Sequence, residues 1–154
     1  HGVAVTLIDV KPAQIEVSGT FGAKVYYGDG RRIDILRKAG ASAAQLILFC
    51  GDDKRLSMIE LETIKASFPE AALFVRAYDR RQVLEISDER ISVIRELFES
   101  AITMGGQALA SIGATPDDIE AIEADYRDRD HRRMAAQRDT GDLHALKEIF
   151  YRPR

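Results

Sequence analysis

Four apolar stretches in this sequence each run out into an aspartate. They are Val3–Ile8 into Asp9, Lys24–Tyr27 into Gly28 and Asp29, Leu46–Cys50 into Gly51, Asp52 and Asp53, and Leu73–Tyr78 into Asp79. The runs are short, rich in β-branched residues and nearly continuous in apolar character, which suits strands covered on both faces. Segments with helical spacing lie between them, and strands alternating with helices read as an open parallel α/β sheet. In such sheets ligands bind beyond the carboxyl ends of the strands, where these aspartates fall.

The intervening helices follow from their start and stop signals. Lys11-Pro12 opens the first, with Ile15 and Phe21 expected on its inner face and Gly22 at its end. Arg31 to Ala39 is a short helix with Ile33, Ile35 and Leu36 inward, stopped by Gly40. Gln45 to Cys50 carries no charge and is expected to be a central strand. Asp52 or Asp53 is expected to cap the next helix, which carries Leu56, Ile59 and Ile64 and ends at Phe68-Pro69. Asp79 caps a further helix to about Ile86, and Ile91 to Ile94 is a short strand.

The pattern then changes. Glu96 to Ile112 reads as one long helix, with Leu97, Phe98, Ala101, Ile102, Leu109 and Ile112 on a stripe. Gly105-Gly106 sits in its middle at a cost of ~1 kcal/mol per glycine relative to alanine, so a close helix crossing is expected there. Thr115-Pro116-Asp117-Asp118 is a strong helix start, with Thr115 as cap and Pro116 first in the helix. That helix is expected to run to about Arg138, with Ile119, Ile122 and Tyr126 on one side. A turn at 139–142 and a last helix from Leu143 to Tyr151 follow. The fold class is therefore α/β, a Rossmann-like parallel sheet followed by a helical C-terminal extension, divided at 1–95 and 96–154.

A dinucleotide-binding fold starts with a strand and a glycine-rich turn, and its second strand ends in an acid that takes ribose hydroxyls. Asp9 has the setting of that acid, yet it stands at position 9. The first strand and the glycine-rich turn are thus expected before residue 1, since a parallel sheet lacking that strand would expose unpaired edges.

Composition narrows the function classes. A net charge of −3 gives no general case for nucleic acid. One cysteine, Cys50, excludes an internal disulfide framework. Cys50 ends a strand expected to be buried, so it reads as a core residue. No stretch reads as a signal peptide, and no apolar run reaches the ~20 residues needed to span a bilayer, which still allows a soluble piece of a larger membrane protein. The three histidines lack metal-ligand spacing, so no metal is expected. No catalytic acid–base pair or nucleophile elbow is present, so the chain is not expected to be an enzyme. Arg76 interrupts an apolar strand and Arg95 lies between a strand and a helix. Each is expected to face a carboxylate, of the protein or of a ligand. The run from Asp125 to Arg133 alternates in sign and reads as a solvated helix face. A nucleotide over the strand ends would use Asp9 for ribose and the backbone near Gly28 and Gly51 for close approach.

These residues resemble a known family. The order Val5-Thr6-Leu7-Ile8-Asp9, Phe21-Gly22-Ala23-Lys24-Val25-Tyr26-Tyr27-Gly28-Asp29, Asp34-Ile35-Leu36-Arg37-Lys38-Ala39-Gly40-Ala41 and Arg76-Ala77-Tyr78-Asp79 is similar to the TrkA-N, or RCK, domain. Ile94-Arg95-Glu96-Leu97-Phe98-Glu99-Ser100-Ala101 resembles the Kef type, the cytosolic domain of glutathione-gated potassium-efflux antiporters. The resemblance covers about residues 3 to 135. It implies a nucleotide, AMP or NAD(H), at the strand ends near Asp9, Val10, Gly28, Asp29, Cys50, Gly51 and Asp52. It implies glutathione or its adducts near Arg95, Glu99 and Asp130. It also implies a homodimer joined through the helices after the sheet and a transmembrane antiporter domain in the same protein. An ancillary flavodoxin-like oxidoreductase subunit and a place at the cytoplasmic face of the bacterial inner membrane complete the implied setting. A family asparagine falls on Asp130, where a carboxylate repels glutathione unless Arg127, Arg129 or Arg132 compensates. A Rossmann-type NAD-dependent oxidoreductase fragment and a dimerisation module with a vestigial nucleotide site are the alternatives.

Overall fold

The computed structural model describes residues 2–51, 56–86, 88, 90–142 and 144–146. The chain divides into two compact units, His1–Arg76 with Glu85–Ile94, and Ala77–Leu84 with Arg95–Arg154.

The first unit is built on parallel strands. Strands β1 (Thr6–Asp9) and β2 (Lys24–Tyr27) pair in parallel, Thr6 opposite Lys24 and Asp9 opposite Tyr27, joined by helix α1 (Pro12–Thr20). Strands β3 (Leu46–Phe49), β4 (Ala72–Ala77) and β5 (Ile91–Arg95) form a second sheet in that order. Helix α2 (Ile33–Lys38) leads towards β3, and α3 (Met58–Ser67) connects β3 to β4. Gly40 takes φ 100° and stops α2, a left-handed conformation open to glycine without a Cβ penalty.

The core of this unit gathers Leu36, Ile47, Leu61, Ile64, Phe68, Leu73, Val75 and Ile91, with Ile8 and Ile33 packed against it. Burial of each large aliphatic residue contributes about 1.5–3 kcal/mol. Phe21 is not part of it. At 84% exposed it sits past the end of α1, whose residues include none that is buried. Ile59 is likewise exposed, because Leu61 and Ile64 set the inner face of α3.

Two further expectations are corrected here. An uncharged strand is expected to be central, but β3 pairs with β4 alone among the described residues. Ile47 faces the core while Leu46 and Leu48 are exposed, so the apolar alternation of β3 is buried on one side only. Helix α3 is capped by Ser57 and not by Asp52 or Asp53, which lie outside the described residues. The Ser57 hydroxyl accepts from the Glu60 N–H at 3.3 Å, while the Ser57 N–H and hydroxyl donate to Glu60 Oε2 at 2.9 and 2.8 Å. This reciprocal box satisfies the first-turn donors and holds the Glu60 carboxyl below its usual range.

Asp88 shows the same logic just ahead of β5. It accepts from the Arg90 guanidinium and backbone N–H, which lower its pKa to about 2. A lowered folded-state value means that the contribution of Asp88 is complete above the ordinary carboxylate range and is lost as pH falls towards 2. A carboxyl-carbon NMR titration is expected to place Asp88 at about 2 and to return it to the ordinary range in Arg90→Ala.

The second unit is helical: α4 (Arg80–Glu85), α5 (Glu96–Ser111) and α6 (Pro116–Thr140). Asp79 caps α4 as expected, its Oδ1 accepting from the Gln82 N–H at 2.9 Å. Thr115 caps α6, accepting from the Asp118 N–H at 3.2 Å. Helix α6 runs through Thr140 and ends at Gly141 in the left-handed region, so the expected turn starts two residues later than Asp139. Of the expected last helix, Leu143 and 147–151 lie outside the described residues, and 144–146 form a turn.

The glycine pair in α5 divides its roles. A Cβ on Gly106 would meet Glu123 Oε1 at 2.5 Å and Ile119 Cγ2 at 3.4 Å, so Gly106 marks the close crossing of α5 on α6. Gly105 has nothing within 4 Å. The expected stripe splits similarly. Ile102 is buried, while Leu97 and Ile112 are exposed.

Candidate functional site

The carboxyl ends of β1 and β2 meet. The Gly28 N–H donates to the Asp9 carbonyl at 2.9 Å, and the Lys11 N–H donates to Asp9 Oδ1 at 2.8 Å. Asp9 therefore holds the turn into α1 with one oxygen, beside an exposed Val10. A Cβ on Gly28 would lie 3.1–3.3 Å from the Ile35 side chain, which would have to shift by a few tenths of an ångström to admit it.

Asp29 is engaged differently. It accepts from the Arg31 N–H and Nε at 3.0 and 2.9 Å and from Arg31 Nη2 at 2.5 Å, while Arg31 Nη1 reaches Glu60 Oε1 at 3.5 Å. Arg31 thus ties the loop after β2 to the capped end of α3. At the end of β3, Cys50 is exposed, which corrects its expected place in the core, because the strand stops at Phe49. Its carbonyl accepts from Arg76 Nη2 at 2.5 Å, so a backbone oxygen answers the arginine that interrupts β4. Gly51 is exposed, and Asp52 lies outside the described residues.

The second unit holds a buried ion cluster. Asp130 of α6 is 6% exposed although it belongs to the charged run that reads as solvated. Its Oδ1 accepts from Arg80 Nη2 at 2.6 Å and its Oδ2 from Arg95 Nη2 at 2.5 Å. The Arg95 side chain is 11% exposed, stacks over the Phe98 ring at 4.0 Å and brings Nη1 to 3.7 Å from Met134 Sδ. Phe98 in turn stacks on Tyr126 with centroids 5.6 Å apart. The guanidinium plane of Arg95 is thereby fixed from its face and from its edge.

The arginines expected to compensate Asp130 are bonded elsewhere. Arg127 makes two 2.8 Å bonds to Glu99, while Arg129 and Arg132 pair one turn back with Asp125 and Asp128. The Arg127 guanidinium holds the Glu99 carboxyl below its usual range. Arg133 is held below the usual arginine value, by burial first and then by the charge of Arg80, with Asp130 opposing. Among the described residues no cluster of histidine, cysteine or carboxylate side chains is arranged for a metal, and no helix is long and apolar enough to cross a membrane.

The family model of the TrkA-N domain matches residues 1–95. The chain belongs to the TrkA-N family. This TrkA-N chain is 32% identical over 156 residues to a glutathione-regulated potassium-efflux system protein of Haemophilus influenzae, with all of the chain and 25% of that protein covered. It is 35% identical over 113 residues to the glutathione-regulated potassium-efflux system protein KefC of Salmonella arizonae, covering 73% of the chain and 18% of that protein. The chain thus spans a quarter or less of the relatives' length. Among solved structures it resembles the Shewanella denitrificans Kef CTD in AMP bound form, at 27% identity and a TM-score of 0.67, over 87% of this chain and 82% of that one.

Within the TrkA-N chain, the structure joins Asp9 to Gly28 and Arg95 to Asp130. Asp29 goes to Arg31 and Glu99 to Arg127. Arg80 is the residue that sequence reasoning missed. It stands next to the Asp79 cap and reads as an ordinary first-turn residue, while its partner lies 50 positions away.

Proposed function

We propose that the chain is a non-catalytic, ligand-sensing regulatory domain of a potassium-efflux system at the cytoplasmic face of the bacterial inner membrane. AMP lies at the strand ends by Asp9 and Gly28. Glutathione or a glutathione adduct is received by Arg95, and ligand binding biases the attached transporter by its difference in affinity for two domain states. The observation that carries this reading is Arg95: a buried guanidinium, fixed by Phe98 and already engaged with a carboxylate, is a group built to recognise carboxylates. The similarity to glutathione-regulated efflux proteins and to an AMP-bound Kef domain supports the same ligands. A homodimer through α5 fits as well, because Leu97 and Met104 are exposed on that helix one heptad apart.

The test is calorimetry with AMP, NADH, glutathione and a bulky S-substituted glutathione on the full-length protein that carries this chain. AMP is expected to bind more tightly than NADH, and Asp9→Ala is expected to weaken AMP by about tenfold while leaving glutathione unchanged. Arg95→Ala is expected to do the reverse. Absence of heat with all four ligands refutes the reading.

A further inference from the structure

In the second unit two guanidiniums share one buried carboxylate. Arg80 from α4, Arg95 at the start of α5 and Arg133 from α6 surround Asp130, and Glu99 is committed to Arg127 through two bonds. Asp130 does not chelate one guanidinium with both oxygens. It gives one oxygen to Arg80 and the other to Arg95. A guanidinium carries five N–H donors, so this bridge consumes one donor on each arginine.

We propose that Arg80 is a specificity-determining residue of the ligand site: it takes up the charge of Asp130, and so leaves Arg95 with charge to offer to a ligand carboxylate. Without Arg80, Asp130 and Arg95 form a closed pair and the site loses one positive charge next to Arg95. With Arg80, the three groups carry one net positive charge in a place where Arg95 and Asp130 are about nine-tenths buried and charge is poorly screened. The inference rests on the reading that Arg95 receives an anionic ligand, and adds that the charge balance beside it decides whether it can.

The experiment is a charge cycle at Arg80 and Asp130, read by calorimetry with glutathione as the probe and by circular dichroism for folding. Arg80→Ala is expected to weaken glutathione by about tenfold or more, since Asp130 then cancels Arg95. The double variant Arg80→Ala with Asp130→Asn restores the net charge and is expected to return within about threefold of wild type. Asp130→Asn alone is expected to bind most tightly, and Arg80→Lys to keep binding because it keeps the charge. A double variant as weak as Arg80→Ala overturns the proposal. So does Arg80→Ala binding like wild type while Arg95→Ala loses the ligand, and in that case the reading of Arg95 survives. Binding unchanged in Arg95→Ala, or no binding by wild type and Asp130→Asn alike, removes both.

Discussion

Asp130→Ala is expected to destabilise the helical unit by about 3–5 kcal/mol, the cost of leaving buried charges without their counter-ion. Two guanidiniums lose the same partner at once, and one of them, Arg95, is 11% exposed. Phe98 lies over the guanidinium face and Met134 Sδ sits 3.7 Å from Nη1, so on the side turned to Asp130 water compensates only in part for the lost carboxylate. The neighbouring Arg132–Asp128 pair provides the contrast. Both side chains are more than half exposed, and such i,i+4 pairs contribute about 0.3–0.5 kcal/mol. Urea unfolding followed by circular dichroism, with Asp128→Ala as the control, separates the two cases. Equal small losses in both variants would show that the cluster is solvated and that its charges count for little.

Leu61→Ala is expected to cost the sheet unit about 2–5 kcal/mol, from lost transfer free energy and from the cavity left behind. Leu61 is fully buried on α3 among Ile64, Phe68 and Leu73, so no side chain can relax into the space without leaving its own contacts. Ile59→Ala lies two positions away on the same helix and removes an exposed side chain of the same size. Its expected effect is within about 0.5 kcal/mol. Thermal unfolding of the two variants side by side measures the difference. A comparable loss at Ile59 would mean that α3 is rotated from the orientation described.

The strands and most helix boundaries were legible because their signals are local. Lys24–Tyr27 and Ala72–Ala77 are bounded by turn residues, and the Thr115-Pro116 start and the Asp79 cap act within one helical turn. What failed depended on something distant. Cys50 and the exposed leucines of β3 follow from which strand lies alongside, and composition says only that such a strand prefers burial. Phe21 and Ile59 fit a helical stripe, yet the side a short helix buries is chosen by its packing partners. The ion cluster was the least legible part. Asp130 sits in a run of alternating charges whose other members pair one turn away or with Glu99, and nothing local sets it apart. Its partner Arg80 reaches it only through tertiary structure, while its i±4 neighbours, Tyr126 and Met134, offer it no arginine.

The bare side of β3 has a consequence for how the chain behaves in quantity. Leu46–Phe49 is uncharged, free of proline and rich in strand formers, and one row of its backbone N–H and C=O groups is not taken up by a neighbouring strand among the described residues. Such a segment is a template onto which another extended chain can add by hydrogen bonding alone. An open edge of this kind is where copies of the domain would add to one another. A single charge in place of Leu48 would oppose that addition by electrostatics, with β3 still anchored to the core through Ile47.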